Sequence, residues 1–107
     1  MKELSLRPYN GKLFYCNTRK DYERTHQAIF KTPDILTCGQ GGRFSAGEGK
    51  DGYWTYLVFA DQPHYFAHEM SHVVLHVFER CGIDPRSGNG EPFCYMLSQL
   101  MLDGWRG

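Results

Sequence analysis

Tyr53-Trp54-Thr55-Tyr56-Leu57-Val58-Phe59-Ala60, then Asp61-Gln62-Pro63, then His64-Tyr65-Phe66-Ala67-His68-Glu69-Met70-Ser71-His72-Val73-Val74-Leu75-His76-Val77-Phe78-Glu79-Arg80-Cys81, is the stretch that decides the fold. Its first part is aromatic and β-branched almost throughout, which is the composition of a strand. In its second part the period changes. Phe66, Met70, Val73, Val74, Val77 and Cys81 recur at helical spacing as a core-facing side. His68, His72, His76 and Glu79 fall on the opposite side. Asp61 is expected to cap this helix, and Pro63 is tolerated in its first turn because that amide needs no intrahelical partner. Gly82 supplies the left-handed position after the last turn, and Pro85 prevents continuation.

Working outward, residues 38–52 are rich in glycine. Gly49-Lys50 has a superficial likeness to a phosphate-binding loop, but Phe44 stands five positions before Gly49, Asp51 follows Lys50, and no helix follows. The segment reads instead as a strand, Arg43–Ala46, joined to Tyr53–Ala60 by the turn-rich Gly47–Gly52. Nearer the start, Tyr9-Asn10-Gly11-Lys12 is a turn between Leu4–Arg7 and Lys12–Cys16, which predicts a short hairpin. Asn17 or Thr18 then caps a helix through about Phe30, with Tyr22, His26, Ile29 and Phe30 near helical spacing and Pro33 at its end. Beyond the central helix, a loop over Ile83–Asn89 leads to a last helix from about Gly90 to Asp103. Asn89 is its expected cap and Pro92 lies in its first turn. Phe93, Met96, Leu97 and Leu100 read as core; Glu91, Tyr95, Ser98 and Leu102 share the other face. Two helices joined by a tight loop should lie antiparallel. The expected architecture is a single α+β domain, with a small, mainly antiparallel sheet packed on the central helix and two flanking helices.

A chain of 107 residues is long enough for one modest core, and 41% apolar content with 15% aromatics describes a folded protein. Lysine plus arginine equal aspartate plus glutamate at 12 each, so net charge predicts neither nucleic-acid nor anionic-membrane attraction. No apolar run is long enough to span a bilayer. Cys16, Cys38, Cys81 and Cys94 form no C-x-x-C pair, and Met1-Lys2-Glu3-Leu4-Ser5-Leu6 contains no apolar signal region. Reduced thiols in a cytoplasm are the expectation.

Within the central helix, His68-Glu69-Met70-Ser71-His72 is an H-E-x-x-H motif. Histidines four residues apart stack on one helical face, where two imidazole nitrogens reach one tetrahedral ion. Glu69 beside them is placed to take a proton from an attacking water. A catalytic site of this kind uses a third protein ligand. His76 continues the series, but His68 and His76 lie about 12 Å apart along the axis at about 1.5 Å per residue, too far to share an ion. Leu75 and Phe78 stand where the metzincin pattern requires glycine and histidine. Glu91, at the start of the neighbouring helix, is the better candidate. Tyr95, one turn later, could present a phenol to a substrate carbonyl or an oxyanion.

The motif followed by a short loop and Glu91-Pro92-Phe93-Cys94-Tyr95 resembles a minimal gluzincin. His68-Glu69-Met70-Ser71-His72-Val73-Val74-Leu75-His76 also resembles the H-E-x-x-H-x-x-L-H of the ImmA/IrrE-type metallopeptidases. More closely, the chain is similar to small bacteriophage proteins in which a glycine-containing hairpin precedes an H-E-x-x-H helix and a Gly-Ile loop, here Gly82-Ile83, precedes a glutamate–tyrosine helix. The resemblance covers roughly residues 53–102. It implies a zincin-like core with Zn2+ held by His68, His72 and Glu91, and with Glu69 as base. The chain departs from the ImmA/IrrE pattern in lacking an acidic run before the last helix and in carrying Phe93-Cys94 there.

The expected function is a zinc-dependent hydrolase, most simply a metallopeptidase acting on a peptide or protein, with Tyr53–Phe59 offering a strand edge to the substrate. A nonpeptide amide or ester fits the same chemistry. The competing expectation is a catalytically inactive zinc-containing phage protein that docks on a host protein in the host cytoplasm. Among the other residues, His26 reads as packed or surface, and His64 as facing solvent. His76 is expected to flank the groove or bond Glu79. Trp54 and Trp105 read as packing groups. Arg43 is a possible carboxylate binder.

Overall fold

Residues 1–105 are described by a computed structural model. The chain runs β1 (Lys2–Leu4), β2 (Lys12–Cys16), α1 (Arg19–Phe30), β3 (Gly42–Glu48), β4 (Trp54–Ala60), α2 (Pro63–Cys81) and α3 (Glu91–Gly104), with a short 3-10 turn at Ser87–Gly90. The fold is α+β, as expected. The four strands form one sheet among the described residues, in the order β1-β2-β4-β3. β1 with β2 and β3 with β4 are antiparallel, whereas β2 and β4 are parallel, so the sheet is mixed. The parallel pairing follows from connectivity, because α1, the 31–41 segment and β3 all intervene between β2 and β4.

β4 is an apolar run without polar alternation because both of its faces are covered. Tyr56, Val58 and Ala60 join the core beneath α2, while Leu57 and Phe59 join Cys16, Tyr22 and Leu36 on the α1 side. Phe66, Met70, Val73, Val74 and Val77 of α2 are fully or almost fully buried, as their spacing predicts; Cys81, at the helix end, is exposed. α3 lies antiparallel along α2. Phe93 meets Phe78 edge-on at 6.3 Å, and at the other end Gly104 sits under Phe66, where a Cβ would come within 2.5 Å of Cζ. Leu100 is buried in that contact, whereas Glu91, Tyr95, Ser98 and Leu102 are exposed.

Several boundaries move from their expected places. The first strand is Lys2–Leu4, not Leu4–Arg7. Thr18 caps α1 by accepting from the Asp21 amide at 3.2 Å. Gln62, not Asp61, is the N-cap of α2, and its side chain makes no capping bond. The Asp61 amide instead donates to the Gly41 carbonyl at 3.1 Å, extending the β3–β4 pairing by one step. Gly82 does close α2 in the left-handed region, at φ 71°. At α3 the N-cap is Gly90 rather than Asn89.

On the α1 face, a polar network holds β3 from behind. The Tyr22 hydroxyl donates to Asp34 at 2.6 Å and lies 2.6 Å from the Ser45 hydroxyl, and Arg43 Nε donates to Asp34 at 2.9 Å. The expectation that Arg43 is free for a ligand carboxylate is therefore corrected: its guanidinium is engaged by Asp34. His26 is packed, with Nδ1 2.7 Å from the Thr32 carbonyl. All four cysteines are free thiols. Among the described residues, no helix is long and apolar enough to cross a membrane.

Candidate metal centre

Four-residue spacing on α2 brings His68 Nε2 and His72 Nε2 to 3.2 Å, with the rings 4.8 Å apart and nearly perpendicular. Two imidazoles bound to one tetrahedral ion at about 2.0–2.1 Å each would hold their nitrogens about 3.3 Å apart. The observed separation fits that geometry, and both rings are exposed. Without a cation, the same contact is a hydrogen bond that requires one ring to donate and the other to accept. Glu69 completes a group whose ligand atoms all lie within 4.8 Å of one another, and this group could hold a metal ion.

Glu69 differs from the histidines in being buried, at 8% exposure. Burial lifts its carboxyl above the ordinary glutamate range, against the opposing influence of His68, His72 and Arg43. The covering surface is the start of β3. A Cβ on Gly42 would come within 2.7 Å of Glu69 Oε2, and one on Gly41 within 2.3 Å of the Tyr65 ring. Two consecutive glycines thus let the β3 backbone lie directly against the carboxylate. Beside it opens a cleft of about 430 Å³, lined by residues 39–42 and by His64, Tyr65, His68 and Glu69. His64 is exposed there, as expected.

Further along the same seam, Phe44 of β3 stacks on His72 with centroids 5.8 Å apart, which fixes one face of that ring. His76 is half-buried between Trp54, parallel to it at 5.7 Å, and Phe44 at 6.1 Å. Its Nδ1 lies 3.1 Å from the Tyr56 hydroxyl, so the expected bond to Glu79 is replaced by one to the sheet.

Glu91 and Tyr95 are not brought to this group. Because α3 runs antiparallel to α2, its first turn packs at Phe78, six residues past His72 and so about 9 Å further along the axis. Glu91 is exposed and contributes no atom to the cluster. Tyr95 is 73% exposed and lines a separate cleft with Pro8, Tyr9 and Met96.

The strand edge also changes place. β4 has neighbours on both sides, so Tyr53–Phe59 offers no edge; the terminal strand next to the histidines is β3. Gly41 and Gly49 bond across to β4, as the Asp61-to-Gly41 and Gly49-to-Tyr53 hydrogen bonds show. Alternation then leaves the N–H and C=O of Gly42, Phe44 and Ala46 on the open side. Gln40 Nε2 donates to the Gly42 carbonyl there at 3.1 Å. In the sequence Gly41-Gly42 reads only as part of a glycine-rich stretch and Phe44 only as a strand residue, since a role at an edge depends on strand order. No protein-family model, curated protein or solved structure matches the chain.

Proposed function

We propose that the protein is a zinc-dependent hydrolase, most simply a metallopeptidase, in which His68 and His72 hold the ion and Glu69 is the general base. The observation that carries the reading is the 3.2 Å separation of the two Nε2 atoms beside a buried carboxylate. The two imidazole nitrogens suit Zn2+, which binds histidine in tetrahedral sites and can take water or substrate in its remaining positions. When bound, zinc would polarise a substrate carbonyl and make water a stronger acid.

The chain's own residues supply the remaining steps. Glu69 takes the proton of the attacking water at a carboxylate oxygen and delivers it to the leaving amine. Burial under Gly42 keeps that carboxylate basic and limits its rotamers. Phe44 fixes the His72 ring. The open N–H of Gly42 and the open N–H and C=O groups of Phe44 and Ala46 pair with an extended peptide, the mode of strand addition that gives affinity through main-chain bonds. Those bonds place the scissile carbonyl beside His68 and His72.

The test is metal content by mass spectrometry of the purified protein, beside His72→Ala, followed by cleavage of fluorescent casein by Glu69→Gln. One zinc per chain, lost in His72→Ala, with turnover abolished in Glu69→Gln while zinc is retained, supports the reading. Zinc retained with turnover unaffected by Glu69→Gln, or no zinc bound at all, overturns it. A zinc-loaded wild type that never cleaves casein would favour a binding protein in which the ion pins the fold.

A further inference from the structure

The chemistry around His76 determines where its proton sits. Tyr56 is fully buried, and a buried phenol must place its O–H on an acceptor. Three polar groups surround it. Arg80 Nη1, 3.5 Å from the phenol oxygen, is a donor only. The Trp54 indole N–H, buried without a partner in the same aromatic cage, is likewise a donor only. His76 Nδ1, at 3.1 Å, is the one acceptor among the described residues. The phenol proton therefore points at Nδ1. In the neutral imidazole, Nδ1 then carries the lone pair and Nε2 carries the hydrogen. Stacking on Trp54 and contact with Phe44 hold the ring in this setting. Nε2 has no hydrogen-bond partner among the described residues.

We infer that His76 is a substrate-recognition donor beside the β3 edge: its Nε2–H binds a backbone carbonyl of the extended ligand, and Tyr56 acts as the positioning residue that fixes its tautomer. The inference rests on the hydrolase reading for the ligand's class. His76 lies one helical turn past His72, about 6 Å along the axis. An extended chain advances about 3.3 Å per residue, so the carbonyl recognised is about two residues from the one at the metal. Phe44 touches both rings and spans the interval. The backbone edge of β3 accepts any extended sequence, whereas a side-chain donor at a fixed offset sets the register in which the peptide lies.

The experiment uses the full chain with ring-¹⁵N histidine, free of metal, so that it reads independently of catalysis. The expected long-range ¹H–¹⁵N spectrum at neutral pH shows His76 with a protonated Nε2 and an unprotonated Nδ1, a preference lost in Tyr56→Phe. Adding N-acetyl-tetra-alanine amide to millimolar concentration should shift the Nε2 resonance. A hydrogen on Nδ1 in the wild type, or no shift at Nε2 with the peptide, overturns the inference. In the zinc-loaded protein, His76→Phe should raise KM for casein about tenfold with kcat within about twofold, and His76→Gln, which keeps a donor, should recover most of it. KM unchanged in His76→Phe also overturns the inference. Failure of the wild type to cleave casein would instead count against the hydrolase reading, and the two spectroscopic outcomes would still decide the role of His76.

Discussion

Along its β3 flank, successive turns of α2 hold a polar side chain against the sheet: Glu69 under Gly42, His72 against Phe44, His76 between Phe44 and Trp54 of β4. Along its α3 flank the same helix meets hydrocarbon: Phe78 against Phe93, and Phe66 over Gly104 and beside Trp105. Both flanking elements lie at about the same distance in sequence from the motif. The difference is direction. β3 runs alongside α2 so that its first residues face the histidines, whereas α3 turns back from the far end and reaches the level of the histidines only with its later, apolar turns. A short antiparallel connection therefore stabilises α2 without furnishing its chemistry.

The largest effect belongs to the packing flank: Phe66→Ala, which empties a fully buried site shared with Tyr15 and Trp105, is expected to cost about 3–5 kcal/mol in chemical denaturation. A loss below about 1 kcal/mol would mean that α3 does not support α2 as described. Next comes Gly42→Ala on the chemical flank. The added methyl collides with the flexible end of Glu69, so the fold should persist with zinc bound while casein turnover falls on the order of 10²-fold, the cost of a base moved by about 1 Å. Unchanged turnover would show that β3 does not position the base.

A smaller effect tests what holds β3 from behind. Burial pushes the Asp34 carboxyl up, but hydrogen bonds from Tyr22 and Arg43 outweigh it and leave the group below its ordinary range. A depressed native value means the contribution is complete above the unfolded value of about 4 and is lost as pH falls through the native one. The melting temperature of the wild type should therefore fall more steeply below about pH 4 than that of Asp34→Asn; parallel curves would remove Asp34 from the account. Smallest of all, Glu91→Gln and Tyr95→Ala should leave zinc stoichiometry unchanged and stability within about 0.5 kcal/mol, as exposed positions do. Loss of zinc in Glu91→Gln, read by mass spectrometry, would restore Glu91 as a ligand and require α3 to shift along α2.

Much of the fold was legible because its signals are local. Phe66, Met70, Val73, Val74 and Val77 announce a buried helical face by spacing alone, and all are buried. Gly82 ends that helix for a reason confined to one residue's φ. Thr18 caps α1 by a bond three residues long. The errors arise where a partner is distant in sequence. Asp61 looks like a cap, yet its amide is claimed by Gly41 twenty residues earlier. Tyr53–Phe59 looks like an edge, yet β2 takes the side that composition cannot show to be occupied. His76 looks like a partner for Glu79 one turn away, yet Tyr56 holds it.

Local spacing alone is enough for the pair His68 and His72 and the carboxylate between them, because an interval of four places two side chains on one helical face whatever surrounds the helix. Local pattern also determines that α2 has one buried side and that a strand precedes it. Long-range packing sets which strand lies over Glu69, brings Gly41 and Gly42 there to admit it, and keeps Glu91 at the other end. These depend on strand order and helix direction, which arise from packing apolar faces across the whole chain rather than from periodicity within any one segment.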